Sequence, residues 1–171
     1  MPDARLDALT SRAEITEVVL AYVRAIDRCD EALLRSCFHP DSRHRHGSFD
    51  GPSADFCGFA LAICRQVEAT HHQLGPVSIE LAGDTAYVET YFTSHHRLGA
   101  VPPPGRRPHE DRFMGGRYVD RFERRDGVWK IAERHGINEW MRYEASSDGG
   151  FWSGPPEHRG RRDRSDPVYR R

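Results

Sequence analysis

The sequence predicts an α+β fold in which helices pack on one face of a curved antiparallel sheet, forming a cone-shaped barrel. Two observations carry this prediction. Helical and strand-like segments follow one another in the order helix, helix, strand, helix and then a run of strands. Within that run, Asp126-Gly127 separates two strand-like stretches, which is the strongest short-range signal for a β-hairpin. A cone of this kind encloses a pocket between the first helix and the sheet.

Length and charge limit the classes of protein to which this chain can belong. Its 171 residues suffice for one domain with a substantial core, which we place at 1–145, followed by a Gly/Pro/Arg-rich tail at 146–171. Lysine and arginine total 25 against 26 aspartate and glutamate residues, so no net field favours nucleic acid or an anionic membrane as a partner. No apolar run approaches the length of a membrane span. Residues 1–15 lack a signal-peptide pattern, so we expect a cytoplasmic protein.

The cysteines lack the paired CxxC spacing of a structural metal site. In a reducing compartment we expect buried thiols, with a disulfide or a metal site as the alternatives. The four residues are Cys29, Cys37, Cys57 and Cys64.

The first helix is predicted from a capping box and an apolar face. Ser11 and Glu14 have the spacing of a capping box, which predicts a helix start at Ser11. Asp27 continues an apolar stripe near the end of this helix, where a carboxylate is poorly placed for the helix dipole. It either reaches solvent there or is partly buried and needs a partner. The apolar face comprises Ile15, Val18, Val19, Tyr22 and Ile26.

Two helices and a short strand follow. Asp30 can cap a second helix that runs to about Phe38, where the following His-Pro pair ends it. We predict a strand over residues 43–47 and a turn over residues 49–51. A third helix is expected to begin at Pro52-Ser53 and to run to about residue 70, with an apolar face.

The second half of the chain is predicted to be mostly strands. A strand over 77–81 and a longer strand over 85–95 flank a turn at Gly83-Asp84. Successive prolines exclude regular structure from residues 100–107, which we interpret as a surface loop and a candidate lid. Strand-like sequence resumes near Arg112 and enters the hairpin.

A two-residue turn determines the register of the hairpin, and a bulge would shift it. The predicted cross-strand pairs are Arg125–Val128, Glu123–Lys130, Phe122–Ile131 and Val119–Arg134. On one side of the sheet we expect Tyr118, Phe122, Trp129 and Ile131. The other side of the hairpin could meet a second subunit. The tail has little to bury except Phe151, Trp152 and Tyr169, so we expect it to be disordered or to lie across a neighbour.

Ten histidines are many for this length, and they permit two hypotheses. His44 and His46 would share one side of a strand, but this spacing is weakly specific for a metal, and a solvated edge strand is the alternative. The second hypothesis is acid–base chemistry, because a buried carboxylate can orient a histidine and stabilise its charged form. Asp27 and His72 form such a pair if the first helix lies over the start of the following strand.

Four segments together resemble a known family. They are LTSRAEITEVVLAYVRAID at 9–27, FHPDSRHRHGSFDG at 38–51, HHQLGPVSIELAGDTA at 71–86 and GGRYVDRFERRDGVWKIAER at 115–134. In this order they resemble the SnoaL-like branch of the nuclear transport factor 2-like superfamily, whose members include dehydratases and a dehydrochlorinase. The resemblance implies a cystatin-like α+β barrel, in agreement with the fold class predicted above.

The resemblance also implies functional residues. Asp27 matches the family's catalytic aspartate and His72 its catalytic histidine, with His71 as the alternative if the alignment slips by one position. Three further positions are implied to bind substrate. They are Tyr22, Arg134 and His95, which without the resemblance would be interpreted as a core, a surface and a strand-end residue.

The resemblance implies a lyase or isomerase without cofactor or metal, acting on a small hydrophobic ring compound such as a steroid or polyketide. It also implies a homo-oligomer, as a trimer or a dimer. Two alternatives stay open, since fold alone does not determine function. One is a protein that binds a small ligand without converting it, and the other is the small structural subunit of a ring-hydroxylating dioxygenase.

Overall fold

The computed structural model describes residues 2–147 and 155–170. Three helices and six strands are followed by two short 3-10 turns at Pro156–His158 and Pro167–Tyr169. The helices are α1 (Pro2–Arg28), α2 (Glu31–Ser36) and α3 (Ser53–Arg65). The strands are β1 (Phe38–His46), β2 (Phe49–Pro52), β3 (Val67–Ala82), β4 (Thr85–Leu98), β5 (Asp111–Arg125) and β6 (Val128–Glu144).

The six strands form one curved sheet in the order β2-β1-β6-β5-β4-β3. The β1–β6 pair is parallel and the other pairs are antiparallel. Helices α1 and α3 pack against the sheet and share one hydrophobic core with it. The predicted α+β fold, with helices on one face of a curved sheet, is confirmed.

Helix α1 begins nine residues earlier than the capping box predicted. It starts at Pro2, and proline suits the first turn because its missing N–H would have no helical partner there. Ser11 is buried inside the helix, where its hydroxyl accepts a hydrogen bond of 3.5 Å from Arg124 of β5. The predicted start was therefore wrong, although the predicted apolar face is buried at Ile15 and Val19.

Local signals around α2 and β2 were partly correct. Asp30 caps α2 as predicted, since its side chain accepts from the Leu33 N–H at 3.2 Å. The turn predicted at residues 49–51 is instead strand β2, and the chain reverses at residues 47–48, where Gly47 has a φ of 58°. Helix α3 ends at Arg65, so the residues that follow belong to β3.

The β5–β6 hairpin contains a bulge that moves one functional candidate. Three predicted pairs are confirmed, namely Arg125–Val128, Glu123–Lys130 and Phe122–Ile131. The register then shifts so that Ala132 is the extra residue, Val119 pairs with His135, and Asp120 pairs with Arg134. The predicted Val119–Arg134 pair was wrong. The shift of one residue turns Arg134 to the inner face, where it is fully buried.

The tail described by the structure lies against its own domain. The Tyr169 hydroxyl donates to the Asp30 carboxylate at 2.8 Å, and Arg162 donates to the carbonyls of Cys64 and Val67 at 2.7 Å each. Residues 155–170 therefore contact their own domain. The expectation that the tail is disordered was wrong for this segment. Phe151 and Trp152 lie outside the described residues, and the division into 1–145 and 146–171 stays a prediction.

Two composition-based expectations can be compared with the structure. All four cysteines are free thiols, and three are buried, as predicted. None of the helices in the described ranges combines the length and apolarity needed to cross a membrane.

Candidate active site

A cavity of about 260 Å³ lies between α1, α3 and the inner face of the sheet. Its wall is mostly apolar because the inward sides of the helices and the alternate residues of the strands meet there. On α3, Phe59 and Ile63 are 40% and 38% exposed, since they line this cavity and are not packed into the core. None of residues 100–107 lines it, so the Pro-rich loop does not cover this cavity as the predicted lid would. The apolar wall includes Tyr22, Ile26, Phe56, Phe59, Ile63 and Phe92.

An aspartate–histidine pair lies at the end of this cavity, and we call it the inner pair: Asp27 of α1 and His72 of β3. The Asp27 Oδ1 atom accepts a hydrogen bond of 2.7 Å from His72 Nδ1. Its Oδ2 atom accepts a second bond of 2.9 Å from the backbone N–H of the same histidine. Asp27 is only 8% exposed, so the interpretation that it reaches solvent was wrong.

The two contacts determine the chemical state of both side chains. Burial would raise the pKa of Asp27, but the hydrogen bonds and the charge of His72 hold that pKa below its ordinary value. With Asp27 as the acceptor, the uncharged form of His72 carries its proton on Nδ1 and has the lone pair of Nε2 available. Nε2 has no hydrogen-bond partner among the described residues, and the His72 ring lines the cavity. A base with this orientation can accept a proton from a molecule in the cavity.

The neighbouring histidines lie on the opposite face of the sheet, because successive strand residues alternate. His71 and His95 line a separate outer cleft beside the C-terminal segment. There His95 Nε2 lies 2.6 Å from Asp111 Oδ1, and we call His95 and Asp111 the outer pair. The structure therefore does not bring His71 or His95 to the cavity, and their predicted contact with its substrate was wrong.

Arg134 lies behind the cavity wall and forms an ion pair. Its guanidinium donates to both carboxylate oxygens of Asp120 at 2.7 and 2.6 Å. The same group lies 4.0 Å from the ring centre of Tyr22 and 4.3 Å from that of Tyr118. Although burial opposes its charge, the Asp120 carboxylate holds the pKa of Arg134 above its usual value. Arg134 does not line the cavity, so the predicted contact with substrate was wrong for Arg134, whereas Tyr22 does line it.

Two cavity residues were missed in the sequence. His96 lines the cavity with its ring centre 5.5 Å from that of His72, and Arg112 donates to His96 Nδ1 at 2.8 Å. The signal was present, because the inward alternation of Val88 and Phe92 extends along β4 to His96.

Of the two β1 histidines considered for a metal, His46 lines the cavity, whereas His44 does not. His44 is fully buried and stacks on Phe56, and burial lowers the pKa of His44 to about 2. The solvated edge strand considered for His44 is therefore wrong for this residue. Within residues 2–147 and 155–170, no three His, Cys, Asp or Glu side chains come together in a way that could hold a metal ion.

The sheet, the helices and the cavity define an α+β barrel. The SnoaL-like domain family matches residues 7–135, which is most of the chain. This chain therefore belongs to the SnoaL-like family, as its sequence segments had indicated. No curated protein matches the chain by sequence.

Three solved structures illustrate the likeness of fold. The hexachlorocyclohexane dehydrochlorinase LinA-type3 from Novosphingobium barchaimii LL02 is 20% identical with a TM-score of 0.75, covering 89% of this chain and 99% of its own. A putative scytalone dehydratase from Novosphingobium aromaticivorans is 20% identical with a TM-score of 0.69, covering 86% and 94%. The Kfla4162 protein from Kribbella flavida is 21% identical with a TM-score of 0.69, covering 79% and 95%. At this identity the likeness is one of fold.

Proposed function

We propose that this protein is a cofactor-independent lyase or isomerase that removes a proton from carbon in a small hydrophobic ring compound. The observation that carries the proposal is the 2.7 Å contact between Asp27 Oδ1 and His72 Nδ1 at the end of an apolar cavity. It leaves His72 Nε2 as a base in a space where a ligand could bind. The names of two structural relatives, a dehydrochlorinase and a putative scytalone dehydratase, agree with this class of reaction.

In the proposed reaction, His72 Nε2 takes the proton, and the electron pair of the broken C–H bond forms a new double bond. In an elimination, the leaving group departs with its own bonding pair. In an isomerisation, the proton returns from the imidazolium to another carbon. Asp27 stabilises the imidazolium throughout, because its carboxylate accepts from Nδ1. Positioned acid–base catalysis supplies roughly 10²–10⁴-fold, so stabilisation of charge by groups in the cavity must supply much of the remainder.

The cavity volume narrows the substrate class. A cavity of about 150 Å³ holds one benzene molecule, so about 260 Å³ suits a substituted single ring or two fused rings better than a steroid. The Tyr22 hydroxyl is a suitable polar contact for such a compound. Burial raises the pKa of Tyr22, so the phenol stays protonated and can donate a hydrogen bond.

The base can be tested without knowing the natural substrate. The two-ring ketone 2-tetralone has acidic C–H groups next to its carbonyl, and their exchange in D₂O is followed by proton NMR. We expect the protein to accelerate this exchange and the His72→Ala variant to lose the acceleration. His71→Ala is the matched control, because His71 lies in the outer cleft and its loss should leave the rate unchanged. Chloride release from hexachlorocyclohexane would test one elimination in parallel.

The competing function is ligand binding without conversion, which the apolar wall also favours. In that case 2-tetralone would bind in the cavity, as seen by ligand-observed NMR, while its exchange rate stayed at the background value. Exchange that survives in His72→Ala would contradict the proposed base in a different way, since another group would then be responsible.

We also propose that the protein is a homo-oligomer, a trimer or a dimer. The outer face of the sheet exposes large apolar side chains, which in other proteins mark interaction surfaces. Light scattering should give a mass of two or three times 19.6 kDa, and a monomer would contradict the proposal. The exposed side chains are Tyr87, Tyr91, Val119 and Trp140.

A further inference from the structure

The contact between Arg112 and His96 determines where the His96 proton lies. A guanidinium only donates hydrogen bonds and stays charged in proteins. Arg112 is therefore the donor in the 2.8 Å contact, and the Nδ1 atom of His96 is the acceptor. An uncharged imidazole with Nδ1 as its acceptor carries its proton on Nε2. His96 thus has the tautomer opposite to that of His72, whose proton is on Nδ1.

The His96 Nε2–H group is a buried donor without a protein partner. His96 is 5% exposed, its ring lines the cavity, and Nε2 has no hydrogen-bond partner among the described residues. The Nε atom of Arg112, which also lines the cavity, is buried without a partner as well. Buried donors are satisfied in most folded proteins, so two orphans at one cavity indicate an acceptor that arrives with the ligand.

Arg112 also brings a charge that no acidic side chain neutralises. None of the carboxylates in the described ranges lies within ion-pair distance of Arg112. Arg134, by contrast, is already paired with Asp120. Arg112 is thus the cation that the cavity offers to a negative charge.

We propose that Arg112 and His96 form the charge-stabilising half of the site, in which the His96 Nε2–H and the Arg112 guanidinium bind a substrate oxygen that becomes negative. The proposal deepens the proposed function and rests on it for the reaction. His72 removes the proton from carbon, the electron pair of that C–H bond forms a double bond to the adjacent carbonyl carbon, and the π pair of the carbonyl moves onto the oxygen. The substrate class is accordingly a ring compound with a carbonyl next to the reacting C–H, which passes through an enolate.

This arrangement excludes His96 as a source of protons. Burial, together with the charge of Arg112, holds the pKa of His96 well below its usual value, so the ring is uncharged near neutral pH. An uncharged imidazole can donate a hydrogen bond to an oxyanion but cannot readily protonate a departing hydroxide. A proton for a leaving group would therefore have to come from the His72 imidazolium, while His96 serves as a hydrogen-bond donor.

The anion subsite can be tested with 4-nitrophenol, whose absorbance distinguishes the phenol from the phenolate. We expect the protein to bind the phenolate preferentially and so to lower the pKa of the bound phenol. His96→Phe keeps an aromatic ring of similar shape but removes the donor, and it should weaken phenolate binding about tenfold or more. The matched control is His95→Phe, which alters the neighbouring residue in the outer cleft and should leave binding unchanged.

The role of Arg112 as a positioning residue needs a separate readout. Nitrogen-15 NMR of the histidine rings reports directly which ring nitrogen carries the proton. We expect His96 to be protonated on Nε2 in the wild-type protein and to populate the other tautomer in Arg112→Met. Arg112→Lys keeps a charged donor and should restore part of the phenolate affinity.

The outcomes separate this inference from the proposed function. The inference would be overturned if the wild-type protein did not bind phenolate, or if binding were unchanged in His96→Phe and Arg112→Met. A proton on Nδ1 of His96 would overturn it as well. His72→Ala should retain phenolate binding while it loses the exchange of 2-tetralone. A protein that binds phenolate through His96 and Arg112 but exchanges no C–H protons would refute the proposed function and leave the anion subsite intact.

Discussion

The inner pair and the outer pair have nearly the same chemistry on opposite faces of one sheet. His72 lies 2.7 Å from Asp27 and His95 lies 2.6 Å from Asp111. They differ in their surroundings. The inner histidine side chain is 8% exposed at the end of an apolar cavity, whereas the outer one is 29% exposed in an open cleft.

The carboxylates of the two pairs also have different second partners. Asp27 uses its other oxygen to accept from the backbone N–H of His72, so both oxygens are bonded to the same histidine and the negative charge can stabilise its imidazolium. Asp111 is bonded to Arg97 at 2.6 and 3.1 Å, so an arginine already compensates its charge. The inner pair is therefore the candidate base, because its histidine side chain is less exposed and no arginine among the described residues is bonded to its carboxylate.

The largest effect on activity is expected when a substitution breaks the inner pair. Asp27→Asn should lower the rate of 2-tetralone exchange by about 10³–10⁴-fold, because the amide neither holds the histidine tautomer nor stabilises the imidazolium. Asp111→Asn makes the same change in the outer pair and should leave the exchange rate within about twofold, since the histidine of that pair lies in the outer cleft and does not line the cavity. Equal losses in both variants would contradict the assignment of the inner pair.

The carboxylate of Asp120, which is paired with Arg134, extends the comparison to the stability of the protein. The Asp120–Arg134 pair is fully buried, so Arg134→Met leaves a charge without a partner and should cost about 3–5 kcal/mol of unfolding free energy. Urea denaturation measures this loss. The double variant Arg134→Met with Asp120→Leu removes both charges and should recover most of it. A small effect of the single variant would mean that Arg134 is not the structural residue that its burial indicates.

The smallest effect is the pH dependence of stability. The pKa values of Asp27 and Asp111 are both lowered in the folded protein, which mainly reflects bonds from His72 and from Arg97 that outweigh burial. A carboxyl group whose pKa is lowered on folding stabilises the folded protein at pH values above its unfolded pKa of 3.8. That contribution is lost as the pH falls through the pKa of the folded state. The difference in unfolding free energy between the wild-type protein and Asp27→Asn should be largest near neutral pH and should shrink as the solution becomes acidic. A gap that widened below pH 4 would reverse the sign expected for Asp27.

Much of the fold was predictable because its signals are local. The Asp126-Gly127 turn determines the first four pairs of the hairpin, and Asp30 caps α2, through contacts between residues that are close in the chain. The capping box at Ser11 shows the limit of such signals. Its pattern is correct for a helix start, yet a serine in mid-helix is stable when a distant arginine donates to it.

The register beyond the hairpin turn was not predictable in the same way. No local pattern in the sequence marks the bulge at Ala132. It decides whether Arg134 faces solvent or Asp120. The same logic applies to His95 and His96, because a parity error of one residue exchanges the cavity for the outer cleft.

By itself, the sequence determined the α+β architecture, the apolar face of α1 and the candidate pair of Asp27 and His72, since these depend on periodicity, turn chemistry and family resemblance. Only the tertiary structure decided that the two side chains meet across 45 positions of the chain, that Arg134 is paired behind the wall, and that His96 and Arg112 line the cavity. The physical reason is that local propensities act between neighbouring residues. Which nitrogen faces which carboxylate depends on packing between elements that are distant in sequence.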